Sequence, residues 1–340
     1  MELDWFAGVA ATQTGLHAAV RAIVSDALSK RVGDTLARTD DVRQSFGVGV
    51  GTVQRALDLL AERGALQTTS RGHLGRRIEA IDVGQCWQAA GLAPVRIVLS
   101  PPGSVEVTAL EVTLSGELVR LGVPSTVHHL AGGNPRLEQL REGQADLTVV
   151  SAGTFDGLVE GWDSPASVVS RQLEPGTYYA PERLLVLTAA QAGPTDELRR
   201  IAIDRESFDH EALTLAQFPP APGRSYLQVP FPEVPAHVLA GVVDAGIWRI
   251  TTLAVPVELT GLHTRPMSGE AAIATRDRLS GATIVAWTGR PELRAVLDSL
   301  DLTGLPAARR AAVDRETAAA ARLDRARSAA ASGAQVIDAS

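Results

Sequence analysis

The sequence contains only one cysteine, Cys86, among its 340 residues. A single cysteine excludes an internal disulfide and is too few for a zinc site built on thiolates, so we interpret Cys86 as a packing residue. No apolar run approaches the roughly 20 residues of a membrane span, and residues 1–4 lack the basic start of a secretion signal. We therefore expect a cytoplasmic protein with no membrane partner, no metal and no cofactor.

The sequence also lacks the short motifs of several enzyme classes. It has no Gly-x-Ser-x-Gly nucleophile elbow, no phosphate loop ending in Gly-Lys-Ser/Thr, no dinucleotide fingerprint and no His-Glu-x-x-His helix. His128 and His129 are adjacent on a predicted strand, so their side chains point to opposite faces and are poorly placed to share a metal. We predict that the protein is not an enzyme and assign no catalytic residue.

Positive charge is scarce and unevenly distributed. The formal charge of −7 opposes binding to nucleic acid, because phosphates are neutralised by lysine and arginine. Residues 1–80 nevertheless contain ten basic and nine acidic residues, whereas the remainder contains 22 basic and 30 acidic ones. Any contact with DNA is therefore expected from the first segment.

Hydrophobic periodicity predicts a small helical module at the N-terminus of a chain that is too long for one average domain. Gly47–Gly49 is predicted to form a tight turn before the third helix, and Gly64 to end that helix. The predicted elements are helices over residues 16–29, 39–46 and 51–63 and β-strands over residues 65–69 and 74–78. This order predicts a winged helix-turn-helix over residues 1–80.

Residues 46–66 (FGVGVGTVQRALDLLAERGAL) resemble the turn and recognition helix of GntR-type winged helices, which run from L-G-V-S through T-V-R-x-A-L to L-x-x-x-G. The sequence departs from the pattern at Gly49-Val50, where the family has Ser-Arg, and at residues 38–41, where it has Pro-Ser-Glu-Arg. The resemblance implies DNA binding, and the departures imply weaker or differently specified binding, or a winged helix that no longer binds DNA. The agreeing residues are Gly47, Val48, Thr52, Val53, Ala56, Leu57, Leu60 and Gly64.

The apolar residues of the predicted recognition helix pack it against the first two helices and leave its other faces free to contact DNA. The N-terminus of that helix favours a phosphate, and the wing tip reaches the minor groove or backbone in proteins of this resemblance. The alternative for each residue is a solvated surface position. The predicted DNA-binding residues are Thr52, Gln54, Arg55, Arg71 and His73.

A linker is predicted over residues 81–94, followed by an α/β domain over residues 95–305. Alternating strand and helix patterns over residues 95–151 imply a parallel sheet with right-handed crossovers. Further strand patterns predict a second lobe; they lie near residues 184–187, 201–203, 226–229, 254–259 and 283–287. Residues 306–340 form an Ala/Arg-rich C-terminal helix and tail, either docked on the domain or partly frayed.

The α/β domain resembles type 2 periplasmic-binding-protein domains, and the whole arrangement resembles the YhfZ family of regulators. The segments that carry the resemblance are SPPGS at 100–104, GGN at 132–134, DLTVVS at 146–151 and GVVDAGIW at 241–248. The resemblance implies a two-lobed fold with ligand bound between the lobes, at the C-terminal ends of strands. Helix amides and one arginine suit an anionic ligand. The predicted ligand-binding residues are Ser104, Asn134, Ser151, Ala152, Arg205, Asp244 and Trp248, for which helix capping and core packing are the alternatives.

Together these features predict a transcription regulator that binds double-stranded DNA as a homodimer and responds to a small anionic effector. Two alternatives stay open at this point. One is an enzyme of periplasmic-binding-protein fold with a redundant winged helix. The other is a small-molecule binding module that meets a protein partner through the winged helix.

Overall fold

A computed structural model describes residues 3–159, 167–189, 192–194, 197–250 and 261–337, and for residues 3–14, 73 and 330–337 it describes the backbone alone. The predicted strand over residues 254–259 lies outside the described residues. Within them, no helix is both long and apolar enough to cross a membrane.

The N-terminal segment is a winged helix. Helices α1 (Leu3–Leu28), α2 (Thr39–Phe46) and α3 (Val50–Glu62) are followed by an antiparallel hairpin of β1 (Leu66–Ser70) and β2 (Arg76–Ile81). Gly47 ends α2 at a φ of 62°, a left-handed conformation that glycine adopts without strain. The apolar face of α3 is buried against α1, as the periodicity predicts. Its buried residues are Val53, Ala56, Leu57 and Leu60.

The segment over residues 81–94, predicted as a linker, contains a packed helix, α4 (Val83–Ala90). Cys86 is fully buried in it and donates from Sγ to the Ala65 carbonyl of the winged helix at 3.2 Å. Burial raises the pKa of this thiol to about 12, which fits a packing role. The linker prediction was wrong because Gly91 and Pro94 mark only the end of the segment, whereas its apolar residues form a helical face.

The two lobes follow in chain order. The first contains β3 (Val95–Leu99), α5 (Val105–Arg120), β4 (Ser125–His129), α6 (Gly133–Arg141), β5 (Leu147–Ser151), α7 (Ala152–Val159) and β6 (Val168–Gln172). The second contains β7 (Leu184–Ala189), β8 (Arg200–Ile203), α8 (Phe208–Gln217), β9 (Ser225–Gln228), α9 (Val234–Leu239), β10 (Ala245–Arg249), β11 (Leu262–Pro266) and α10 (Glu270–Leu279). The chain then returns to lobe 1 with β12 (Ala282–Trp287) and α11 (Leu293–Ser299).

The two sheets have equivalent strand orders. Lobe 1 has the order β4-β3-β5-β12-β6, and lobe 2 has the order β9-β8-β10-β7-β11. In each sheet three parallel strands are followed by an antiparallel one, which is β12 in lobe 1 and β7 in lobe 2. The sheets are therefore mixed rather than purely parallel, because β12 enters the first sheet after the chain has crossed to lobe 2 and back. This double crossing confirms the predicted two-lobed, type 2 periplasmic-binding-protein-like fold.

Helix α12 (Leu305–Ile337) docks its first turns on lobe 1. It packs against α5, and Leu305 and Ala312 are buried there. Glu316 accepts from Arg183 at 2.8 Å, and Arg309 pairs with Glu182 at 3.0 Å. The C-terminal helix therefore contacts the segment that crosses between the lobes.

Candidate functional site

The recognition helix α3 and the wing present two exposed arginines. Arg55 on α3 and Arg71 before the wing turn are exposed, and neither side chain has a hydrogen bond or ion pair within the described part of the chain. Thr52 is half-buried in the first turn of α3, where its N–H donates to the Gly49 carbonyl at 3.0 Å. The His73 side chain lies outside what the structure describes. Arg55 and Arg71 are thus the predicted DNA-binding residues whose donors are unengaged.

Gln54 is held by its neighbours. Its Nε2 donates to Asp58 Oδ1 at 2.7 Å, and its Oε1 accepts from Arg76 Nη2 at 3.0 Å. Because these bonds join α3 to the wing, Gln54 can reach a base only by giving them up. Sequence reasoning missed Arg76, because a strand pattern does not show which side chains cross to the helix.

The surface beside these residues is apolar. Phe46, Val50 and Leu74 are 51%, 52% and 62% exposed. Val50 stands where the resembled family has arginine, so the first turn of α3 has apolar surface in place of one phosphate donor.

A cavity of about 510 Å³ lies between the lobes, at the C-terminal ends of the parallel strands. Residues from both lobes and from the segment that crosses between them line it. Lobe 1 contributes Pro101, Pro102, Gly132, Gly133, Arg136 and Thr154; the crossing contributes Tyr178 and Tyr179; and lobe 2 contributes Asp204, Asp209, His210, Phe231, Trp248 and Arg249, among others. Its size is that of a typical small-molecule site.

Arg249 ends β10 in the wall of this cavity. The residue is 8% exposed, and its Nε and Nη1 are buried with no hydrogen-bond partner in the described part of the chain. Its guanidinium lies over the Tyr179 ring, 5.3 Å from the centroid. Trp248, the preceding residue, stacks on Phe231 at 4.9 Å, and its buried indole N–H also finds no acceptor among the described residues. Buried donors without acceptors are costly, which indicates that something else satisfies them.

A second buried arginine, Arg136 of α6, faces the cavity from lobe 1. It donates to the Leu130 carbonyl at 3.0 Å and to the Tyr178 hydroxyl at 2.8 Å, and its Nε has no partner in the part of the chain described. Tyr178 and Tyr179 contact each other edge to face at 4.7 Å. The two tyrosines therefore connect an arginine of each lobe.

Asp209 of lobe 2 joins the lobes directly. Its Oδ1 accepts from the hydroxyls of Ser151 at 2.7 Å and Thr154 at 3.1 Å, both in lobe 1. Its Oδ2 accepts from the Tyr179 hydroxyl at 2.6 Å. Burial raises the pKa of Asp209 despite the opposing effects of these hydrogen bonds and of the charge on Arg136. We call this set of contacts the interlobe latch.

His210, next to Asp209, is neutral and fixed. Its Nδ1 accepts from the Asp204 N–H at 2.9 Å, and its Nε2 donates to the Ile247 carbonyl at 3.1 Å. Burial lowers its pKa to about 4. The ring therefore supports the cavity wall in one tautomer and adds no positive charge.

The four residues predicted from lobe 1 lie near the cavity without lining it. Ser104 caps α5 by accepting from the Val107 N–H at 3.2 Å. The Oδ1 atom of Asn134 is buried without a partner in the described region. Ser151 donates to Asp209, and the Ala152 N–H donates to the Gly281 carbonyl at 2.8 Å. The prediction that Ala152 offers a free amide was wrong, because the returning chain takes that hydrogen bond.

Of the residues predicted from lobe 2, Trp248 lines the cavity, and the predictions for Arg205 and Asp244 were wrong. Arg205 turns to the surface and pairs with Glu211 at 2.6 Å. Asp244 precedes β10, so it lies at the amino ends of the strands, opposite the cavity, where it binds Arg200 at 2.6 Å. Asp146 makes the equivalent contact with Arg96 before β5 in lobe 1. Both aspartates therefore have structural roles.

Sequence reasoning missed Arg136, Asp209 and Arg249. Arg249 could have been found, because it ends the same strand as Trp248 and the C-terminal ends of strands were the places to examine. Arg136 and Asp209 lie within helical patterns, which do not show which lobe they meet. Among the described residues, no cluster of three or more metal-ligating side chains occurs.

Comparison with known families agrees with this architecture. Residues 31–78 match a helix-turn-helix domain, and residues 82–318 match the YhfZ C-terminal domain. The chain belongs to the YhfZ family. The match includes α4 and the docked first turns of α12, both of which lie outside the α/β domain that we predicted over residues 95–305.

Individual relatives are distant. The chain is 24% identical to the uncharacterized protein YhfZ of Escherichia coli (strain K12) over 248 residues, which are 72% of this chain and 77% of that protein. The crystal structure of YhfZ from Shigella flexneri has a TM-score of 0.53 and 20% identity and covers 69% of this chain and 96% of that one. The periplasmic aliphatic sulphonate binding protein SsuA from Escherichia coli has a TM-score of 0.47 and 18% identity, with coverage of 66% and 72%. At these identities the YhfZ structure shows a shared fold.

Proposed function

We propose that this YhfZ-family protein is a cytoplasmic, ligand-responsive transcription regulator. Its winged helix binds double-stranded DNA, and a small anionic effector in the cavity between the lobes alters that binding. Arg55 and Arg71 carry the DNA contact, because they are exposed and have no partner in the described part of the chain.

The observation that carries the proposal is the joining of the winged helix to lobe 1. One continuous hydrophobic core contains Leu60 of α3, Trp87 of α4 and Leu114 of α5. Gly84 of α4 lies so close to the Leu121 carbonyl that a Cβ would be 2.2 Å from it. Arg290 of lobe 1 stacks over Trp87 at 5.2 Å. The winged helix therefore moves with lobe 1.

This attachment suggests how an effector acts. If lobe 1 and the winged helix form one body, closure of the cavity moves lobe 2 relative to both. In a homodimer, that movement changes the contact between subunits and so the spacing of the two winged helices on a palindromic site. A protein that stays monomeric at every concentration, with and without DNA, would contradict this part of the proposal.

The test is recovery of DNA by the full chain. Purified protein is incubated with fragmented genomic DNA from its own source at physiological salt, and the retained fragments are sequenced. We expect a two-fold symmetric site whose affinity falls steeply with salt and falls several-fold further in Arg55→Ala.

Arg63→Ala is the matched control, because Arg63 is also exposed and follows the distal end of the same helix. Recovery of no specific site would indicate a winged helix that contacts protein instead. Turnover of a bound metabolite that is lost in Arg249→Met would favour the enzyme alternative.

A further inference from the structure

We infer that the effector is a monoanion with an apolar body, and that its one negative group binds Arg249 in the cavity between the lobes. The inference rests on the proposed function and names the chemical class of the effector. A carboxylate and a sulfonate offer the same oxyanion chemistry to a guanidinium.

The positive charge of Arg249 is not neutralised by any carboxylate among the described residues. No carboxylate lies within ion-pair distance of it among the described residues, and two of its buried nitrogens have no acceptor. An arginine needs no acceptor when water reaches it, but this residue is 8% exposed. Among the described residues, the buried guanidinium is held by a ring contact with Tyr179, so its free donors can bind one oxyanion.

The surroundings of the cavity limit the ligand to one negative charge. The other cavity arginine, Arg136, already has three oxygen acceptors for its two Nη atoms, so that only its Nε is unpartnered among the described residues, and its charge acts on the buried Asp209. Asp204 is also buried in the wall, where it accepts from the Phe231 N–H at 2.8 Å. A second negative group on the ligand would meet these acids rather than a free cation.

The cavity also has an apolar wall that suits an apolar ligand body. The stacked rings of Phe231 and Trp248 face the cavity together with Pro101, Pro102 and Leu213. The volume of about 510 Å³ exceeds what a bare inorganic anion fills. Burial of a planar apolar group against these rings supplies affinity that one ion pair does not.

The experiment titrates the dialysed full chain with probes that share one ring and differ in charge. Benzoate and benzenesulfonate are the monoanions, phthalate is the dianion, benzamide is neutral, and benzylamine is the cation. Binding is measured by calorimetry and by the shift in thermal midpoint. We expect binding of at least one monoanion, with a dissociation constant at least tenfold below those of phthalate, benzamide and benzylamine, and at least tenfold weaker binding of that monoanion in Arg249→Met.

Arg205→Met is the control, because Arg205 is an exposed arginine of the same lobe outside the cavity. Equal binding of phthalate or benzamide, unchanged binding in Arg249→Met, or no binding of either monoanion would overturn the inference. We expect Arg249→Met to keep its fold, since the Arg249 side chain makes no hydrogen bond to any residue that the structure describes, and circular dichroism checks this. DNA recovery is a separate assay. Monoanion binding without recovery of a DNA site would contradict the proposed function alone, and recovery of a DNA site without monoanion binding would contradict this inference alone.

Discussion

The two lobes share one strand order but differ in what holds them. Lobe 1 shares the larger of its cores with the winged helix through α4, and that cluster extends from Val20 in α1 to Leu305 in α12. A second, smaller core around Leu137 lies within lobe 1. Lobe 2 has two smaller cores of its own, one around Phe218 and one around Val234. The same strand order therefore occurs in a lobe that is packed against the winged helix and in a lobe with separate cores.

The contact between the lobes, unlike their hydrophobic cores, consists of hydrogen bonds and close glycine contacts. It combines the interlobe latch with a close approach of α7 to lobe 2, where a Cβ on Gly153 would lie 1.7 Å from Leu279 and one on Gly157 would lie 2.3 Å from Phe208. Hydrogen bonds and glycine contacts of this kind can separate without exposing a large apolar core. This contrast favours movement of lobe 2 against a fixed winged helix and lobe 1.

The strongest test of the contrast is Trp87→Ala. Trp87 is 1% exposed in the core that joins the winged helix to lobe 1, so its removal is expected to lower the free energy of unfolding by about 3–5 kcal/mol. Hydrogen exchange should accelerate in α3 and in β3 together while lobe 2 stays protected. Val119→Ala, at a 79% exposed position of α5, is the control and should change little. Acceleration in α3 alone would mean that the two regions are separate bodies.

Acidification is expected to weaken lobe 2 through His210. Its pKa is lowered to about 4 by burial, whereas an unfolded histidine takes its proton near 6.5. The neutral ring therefore stabilises the fold fully above pH 6.5, and this contribution, about 3 kcal/mol, is lost as the pH falls towards 4. Urea unfolding at pH 7.5 and 4.5 measures it. His210→Gln should reduce the difference between the two pH values, and an unreduced difference would exclude His210 as its source.

The equivalent aspartates of the two lobes compare the lobes directly. Asp146 is fully buried and contacts Arg96 at 2.7 Å and Arg290 at 3.0 Å, whereas the side chain of Asp244 is 23% exposed and forms its ion pair with one arginine of the described residues, Arg200. Burial would raise the pKa of each carboxyl, but the arginines and backbone N–H donors hold both below their usual range. We expect Asp146→Ala to cost about 3 kcal/mol and Asp244→Ala about 1 kcal/mol in chemical unfolding. Equal losses of unfolding free energy in the two variants would show that attachment of lobe 1 to the winged helix adds nothing to the contribution of Asp146.

The smallest expected effect concerns the interlobe latch. Asp209→Asn keeps one acceptor for Ser151 and Thr154 but loses the one for Tyr179, which should cost about 1 kcal/mol and enlarge the radius of gyration in small-angle scattering. Because the pKa of Asp209 is raised in the fold, its contribution is full below the usual value of 3.8 and is lost as the pH rises through the folded value. Asp156→Asn changes an exposed carboxylate of α7 and is the control. An unchanged radius would mean that other contacts hold the lobes.

Local patterns predicted most of the winged helix and the first lobe. The spacing of Val53, Leu57 and Leu60 determines the buried face of α3, and Gly47 determines its turn, so neighbouring residues contain the information. The same holds for β3 to β5, whose strands follow one another along the chain.

The candidate site was less accessible because it depends on contacts between distant residues. The partner of Ser151 is Asp209 in the other lobe, and the Ala152 N–H is taken by Gly281. Asp244 was misplaced because an acidic residue beside a strand was assigned to the wrong end of it. Helix α4 was missed because its apolar face joins two domains, and glycine and proline near its end suggested a loop.

The position of β12 has a consequence for how the chain folds during synthesis. Ala282 pairs with Ser151, and Trp287 pairs with Val168, so the first sheet is completed by residues made after the whole of lobe 2. Lobe 2 therefore leaves the ribosome while lobe 1 still lacks an interior strand. The long-range pairing of β12 with β5 and β6 forms last. A chain that stops before β12 lacks Ala282, Ile284 and Ala286 of the core that joins the winged helix to lobe 1, so removal of the C-terminal part is expected to destabilise both.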